Sequence, residues 1–176
     1  MDKEKIYAVV VYFDKRTEDR ISEMINDIAE RTGNRYMTEN GIPPHISLGI
    51  FSSSDEDAVT DDLISFADTL SPADIEFEKP GSFGNSVLFL PPKENAYLRS
   101  ANKSLHDMMP FSPAEDGNYL PGKWVPHCSL AVCLDDKSFP AAYETAERMF
   151  SPIKGRITRL VLAGCYPYRE KMIIDL

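Results

Sequence analysis

Pro44-His45-Ile46-Ser47-Leu48 and Pro126-His127-Cys128-Ser129-Leu130 are two copies of one short pattern, and how they are read decides how the rest of the chain is understood. In an extended strand, side chains two residues apart share a face, so His45 and Ser47 point one way while Ile46, Leu48 and Ile50 point the other. His127 and Ser129 are set in the same way against Cys128, Leu130 and Val132. Each motif therefore reads as a strand with an apolar face for a core and a polar face for water or a ligand. Gly49 and Ala131 continue the polar face and, being small, leave room for something to lie against it. Proline is tolerated at the first position of a strand and favours extended geometry in the residue before it. Both histidines are thus expected at strand entrances, beneath the loops that lead in.

Working outward, the same order of elements surrounds each motif. The run Ile6 to Phe13 is continuously apolar, β-branched or aromatic, the pattern of a buried strand. Asp14 to Arg31 places Ile21, Met24, Ile25 and Ile28 at helical spacing, with Gly33 as a stop. A polar loop, Asn34 to Pro44, leads to the strand His45 to Phe51. Ser53 with Glu56 reads as a capping box for a helix whose inner face is Val59, Leu63, Phe66, Ala67 and Leu70. Ala73 to Phe77 reads as a strand, and Pro80 to Asn85 as a turn. The order then restarts: a strand at Ser86 to Leu90, a helix at Asn95 to Met109, a loop at Pro110 to Lys123, a strand at Trp124 to Leu134 and a helix at Pro140 to Phe150. Arg156 to Tyr166 and Met172 to Leu176 supply the last strands. His45 lies 39 positions after Ile6, and His127 lies 41 after Ser86. Residues 1–176 are therefore expected to form one domain of two internal repeats, about 6–85 and 86–176, closed as two lobes about a pseudo-twofold axis.

Composition narrows the class. A chain of 176 residues buries roughly 70% of its unfolded surface, enough for one well-filled domain. No apolar run approaches the roughly 20 residues that span a bilayer, so no membrane segment is expected. The opening Met1-Asp2-Lys3-Glu4-Lys5 leads straight into the Ile6 run and reads as the approach to a strand, not a secretory signal. Cys128, Cys133 and Cys165 have neither the even count nor the spacing of a disulfide or zinc framework, which points to a reducing cytoplasm. A formal charge of -9 opposes binding to long polyanions, so no long duplex nucleic acid is expected as a partner. A monomer is expected.

Two imidazoles facing one gap suit in-line displacement at phosphorus. One removes a proton from the attacking oxygen and the other donates one to the departing oxygen, near an ordinary pKa of about 6.5. Hydroxyls from Ser47 and Ser129 would donate to the non-bridging phosphoryl oxygens. No cofactor or metal is called for: a zinc site on His45 and His127 lacks its third and fourth ligands unless carboxylates supply them.

On these residues the chain resembles the two-histidine (2H) phosphoesterase superfamily, and within it the bacterial 2′-5′ RNA ligase and cyclic phosphodiesterase group. Ile42 to Leu48 and Trp124 to Ala131 carry the resemblance, and the duplicated order of elements extends it over nearly the whole chain. Serine stands here where many members have threonine, which keeps the hydroxyl. The resemblance implies an α+β fold: two pseudo-symmetric lobes of antiparallel sheet, with helices packed outside, around a central cleft. It also implies catalysis by His45 and His127 with Ser47 and Ser129. The implied substrate is a small cyclic nucleotide, a 2′-5′ linkage, or an RNA end bearing a 2′,3′-cyclic phosphate.

The loops entering both motifs can overhang such a cleft, which makes Arg35, Tyr36, Tyr119, Lys123 and Trp124 candidates for holding a base or an outer phosphate. The turn Tyr166-Pro167-Tyr168-Arg169 is comparable. His106 falls beside a helical apolar stripe and reads as a boundary residue. Cys128 faces the core by alternation and is not expected to act as a nucleophile. The competing function is a nucleotide or RNA-end binding module on the same fold without turnover.

Overall fold

The computed structural model describes residues 4–176; Met1, Asp2 and Lys3 of the opening stretch lie outside them. In chain order the elements are β1 (Lys5–Phe13), α1 (Lys15–Thr32), a short α2 (Tyr36–Glu39), β2 (Ile46–Ser53), α3 (Glu56–Ala67), β3 (Ala73–Phe77), β4 (Gly81–Phe83), β5 (Val87–Leu90), α4 (Ala96–Met108), β6 (Ser112–Pro113), a 3-10 turn (Glu115–Gly117), β7 (Cys128–Ala131), α5 (Phe139–Met149), β8 (Ile153–Gly164) and β9 (Arg169–Asp175). The fold is α+β. A six-stranded sheet runs β3-β8-β1-β2-β6 with β9 also beside β8, and a three-stranded sheet runs β4-β5-β7. All the pairings are antiparallel.

Local chemistry sets the helix bounds. The Asp14 carboxylate accepts the Thr17 N–H to start α1, and Gly33, at φ 75°, ends it in the left-handed region that glycine enters without steric cost. Asn95 starts α4 by accepting from Leu98 N–H. The helices cover one face of the sheets. On β1, Tyr7, Val9, Val11 and Phe13 join the main core with Met24, Ile28, Leu63, Leu98 and Leu105, whereas Ala8, Val10 and Tyr12 join a smaller cluster with Ile50 and Val161. Each fully buried large aliphatic contributes roughly 1.5–3 kcal/mol. The helix side, with far more of them, carries the stability and leaves the opposite face free to build a cleft.

Several expectations are corrected. Sheet membership does not follow the division at residues 85 and 86: β4 pairs with β5 across it, and β8 and β9 enter the sheet of β1 and β2. The strand expected from Trp124 to Leu134 is confined to Cys128–Ala131. Pro126 has no N–H for a ladder, Gly122 at φ 88° turns the chain before it, and Cys133 at φ 55° turns it after. The expected turn at Pro80 to Asn85 contains β4, and both polar loops hold short elements of their own. The cap of α3 is Asp55, not Ser53; the Ser53 hydroxyl accepts from Asp55 N–H, while Glu56 takes Lys5, Tyr7 and Lys171. Among the described residues no helix is long and apolar enough to cross a membrane.

Candidate functional site

Both motif strands carry a β-bulge at the same place. On β2, Ser47 is opposite Val10 and Gly49 opposite Val9, which skips Leu48; on β7, Ser129 is opposite Phe89 and Ala131 opposite Leu88, which skips Leu130. An extra residue shifts the alternation by one. This reverses the expectation for the residues that follow. Ile50 and Val132 turn onto the cleft, where they line its wall, while Gly49 and Ala131 turn to the core. A Cβ on Gly49 would stand 2.8 Å from the Phe51 ring and 2.9 Å from Leu105. Its smallness therefore serves packing between β2 and α4 and does not make room for a ligand.

The buried Asn102 on α4 holds the first bulge in place. Its amide donates to the carbonyl of Leu48 at 2.7 Å and to that of Tyr119 at 2.8 Å, tying the skipped residue of one motif to the loop that leads to the other. Sequence reasoning missed it, because a polar residue on a helix's apolar stripe is the one signal it leaves.

The two histidines are held identically. His45 Nδ1 is 2.8 Å from the Pro43 carbonyl and His127 Nδ1 is 2.8 Å from the Val125 carbonyl, each two residues back. A carbonyl oxygen only accepts, so Nδ1 carries the hydrogen in both rings and Nε2 is the free position. Burial lowers the pKa of both imidazoles against the opposing pull of those carbonyls, and the charge of His127 lowers His45 further. Such a pair holds one proton more readily than two. Between the motifs, the Cys128 thiol lies against the backbone N–H of His45; it is fully buried and pushed up to about 12 by burial, so it stays a thiol.

The cleft has two adjoining ends. One, of about 670 Å³, is lined by His127, Ser129, Phe83, Lys123, Trp124 and Glu115 among others. The other, of about 190 Å³, is lined by His45, Ser47, Ile50, Cys165 and Tyr168. Tyr36, Tyr119, Ser129, Val132 and Tyr166 line both, so the two ends share a wall. Of the expected binding residues, Tyr36, Tyr119, Lys123 and Trp124 are on the cleft wall, and Trp124 is 6% exposed. Arg35 is not. It is exposed at the start of α2, where its carbonyl accepts from Glu39 N–H.

Aromatic rings pack against both imidazoles. The Tyr168 ring stacks on His45 with centroids 5.6 Å apart, and the Tyr168 hydroxyl bonds that of Tyr12, which donates to Glu170. His127 meets the edge of Phe83 at 4.9 Å and tilts against Phe89 at 5.4 Å. Phe83 lies on β4, inside the stretch whose Pro and Gly content reads as turn; the Gly84-Asn85 pair between apolar runs is the hairpin signal that marks it. His106 donates from Nδ1 to the Asn102 carbonyl and packs on Phe51, away from the cleft.

The sequence model of the 2′-5′ RNA ligase superfamily matches residues 17–164. Among solved structures, Escherichia coli LigT complexed with 3′-AMP superposes with a TM-score of 0.66 at 10% identity, covering 99% of each chain. LigT complexed with phosphate gives 0.61 at 12% identity, covering 99% of this chain and 98% of that one. A structure described as a phosphoesterase gives 0.58 at 12% identity, covering 98% of both. At these identities the likeness is one of fold. No curated protein matches the chain by sequence.

Proposed function

The chain belongs to the 2′-5′ RNA ligase superfamily, the two-histidine phosphoesterases, and from that premise we propose that it is a metal-independent phosphodiesterase of small nucleotides or RNA ends, opening 2′,3′-cyclic phosphates or cleaving 2′-5′ phosphodiester bonds. The observation that carries this reading is the matched tautomer of His45 and His127, each with Nδ1 tied to a carbonyl and Nε2 left for proton transfer on the wall of one cleft. In the proposed step, one Nε2 takes the proton of the attacking water or hydroxyl as its oxygen bonds to phosphorus. The opposite Nε2 gives a proton to the oxygen whose bond to phosphorus breaks. Charge building on the non-bridging oxygens is met by the hydroxyls of Ser47 and Ser129. The LigT structures, which hold 3′-AMP and phosphate, support a nucleotide-sized ligand.

The test is a panel of nucleoside 2′,3′-cyclic phosphates and 2′-5′ dinucleotides, with products identified by the position of the phosphate, run with and without a chelator. Turnover that the chelator leaves unchanged is expected. Strict metal dependence contradicts the mechanism, and tight binding without product over long incubation favours a non-catalytic binding module.

A further inference from the structure

The cleft wall is poor in cations. Apart from the two histidines, the charged side chains that line it among the described residues are Lys123 and Glu115. Glu115 accepts a hydrogen bond from the Tyr166 hydroxyl at 2.5 Å. No Lys or Arg pairs with Glu115 among the described residues. Its charge is felt at both ends: after burial, it is what raises Tyr119 to about 12 and Cys165 to about 11.

The backbone that presents this carboxylate is itself costly. Among the described residues, four other than glycine have φ in the left-handed region, namely Glu115, Asp116, Cys133 and Tyr166, and all but Asp116 line the cleft. L residues enter that region against steric resistance, and such conformations persist where surrounding structure holds them for a use. Glu115 and Tyr166, both so held, are the two that bond each other.

We propose that Glu115, anchored by Tyr166, is a charge filter that confines the cleft to substrates whose only phosphate is the one at the histidines. The favoured class is a nucleoside 2′,3′-cyclic phosphate or a dinucleoside monophosphate, and the 3′ end of a phosphorylated RNA chain is disfavoured. This rests on the phosphoesterase reading above and narrows it. A second phosphate entering the cleft meets an exposed carboxylate that pairs with no Lys or Arg among the described residues, Lys123 being the one such cation on the wall, and like charges at this rim repel with a strength that salt screens.

The experiment compares adenosine 2′,3′-cyclic phosphate with the same nucleotide bearing a 5′-phosphate, and with a short oligoadenylate ending in the cyclic phosphate. For the protein as it stands, kcat/KM is expected to favour the first by about tenfold or more at low salt, with the ratio shrinking as added salt screens the repulsion. Glu115→Gln brings the ratio near one, and Glu115→Lys inverts it, whatever either does to absolute rates. Binding constants of the same compounds to His45→Ala follow the same order and lose it in the His45→Ala, Glu115→Gln double variant. An unchanged ratio in Glu115→Gln, or equal handling of the three compounds by the unaltered protein, overturns the filter. Should no compound be turned over, the phosphoesterase reading fails and the order of the binding constants decides the filter on its own.

Discussion

The two motif regions are alike where chemistry demands it and unlike everywhere else. In both, a histidine two residues beyond a carbonyl donates Nδ1 to it, a serine follows two positions on, and a bulge turns the next aliphatic residue onto the cleft. Around that common unit the surroundings diverge. His45 stands just before β2 of the six-stranded sheet, stacks on Tyr168 and faces the narrow end of the cleft; His127 stands just before β7 of the three-stranded sheet, sits among Phe83, Phe89 and Tyr119 and faces the wide end. In the proposed mechanism the repeated part moves the protons. The unrepeated part is what can tell one substrate from another, since a bound molecule that reaches both histidines necessarily presents different groups to the two ends.

The comparison breaks first at the histidines. Replacing either by alanine should lower kcat by about 10² or more, the range that a positioned acid or base supplies. The double variant should fall much less than the product of the single losses, because the two act in one step. Steady-state kinetics on the best cyclic phosphate checks this, and retention of full rate by either single variant would place the chemistry elsewhere.

A smaller effect separates the two bulges. Gly49→Ala drives a Cβ into Phe51 and Leu105 and should cost about 1–3 kcal/mol by overpacking. Ala131→Gly, at the equivalent position, should cost only about 0.5–1 kcal/mol through backbone freedom. Thermal unfolding of the two variants gives the order, and equal losses would show that the halves pack alike after all.

Titration gives the finest distinction. Both imidazoles hold a proton less well than a free one because they are buried, so the charged acid appears only as pH falls below about 6.5, and the kcat/KM optimum should lie on that acid side. His45 also feels the charge of His127, so His127→Gln should raise the His45 midpoint, whereas His45→Gln should move His127 less; NMR of the ring protons reads both. A His45 midpoint that stays put would uncouple the pair.

Much of this was legible in the chain because it depends on local pattern. The strand run Ile6 to Phe13, the helix ended by Gly33 and the strand Ala73 to Phe77 each follow from spacing and caps, and the structure returns them nearly residue for residue. What escaped depends on partners distant in sequence. A bulge is a relation between two strands, so the reversal of Gly49 and Ile50 is invisible in either strand alone. Trp124 to His127 read as strand from their apolar character, yet Pro126 denies them a ladder. Phe83 and Asn102 reach the site through the β4–β5 hairpin and the packing of α4 on β2, neither of which a single periodicity encodes.

The placement of β8 bears on how the molecule comes into being. Residues 153–164 lie between β1 on one edge and both β3 and β9 on the other, so the sheet that seats His45 has a gap in its middle until those residues exist. During synthesis, β1 and β2 leave the ribosome early and wait, with an apolar strand edge unpaired, for almost the entire chain to follow. The half translated first is completed last, and exposure of that edge is the hazard this arrangement imposes on the newborn protein.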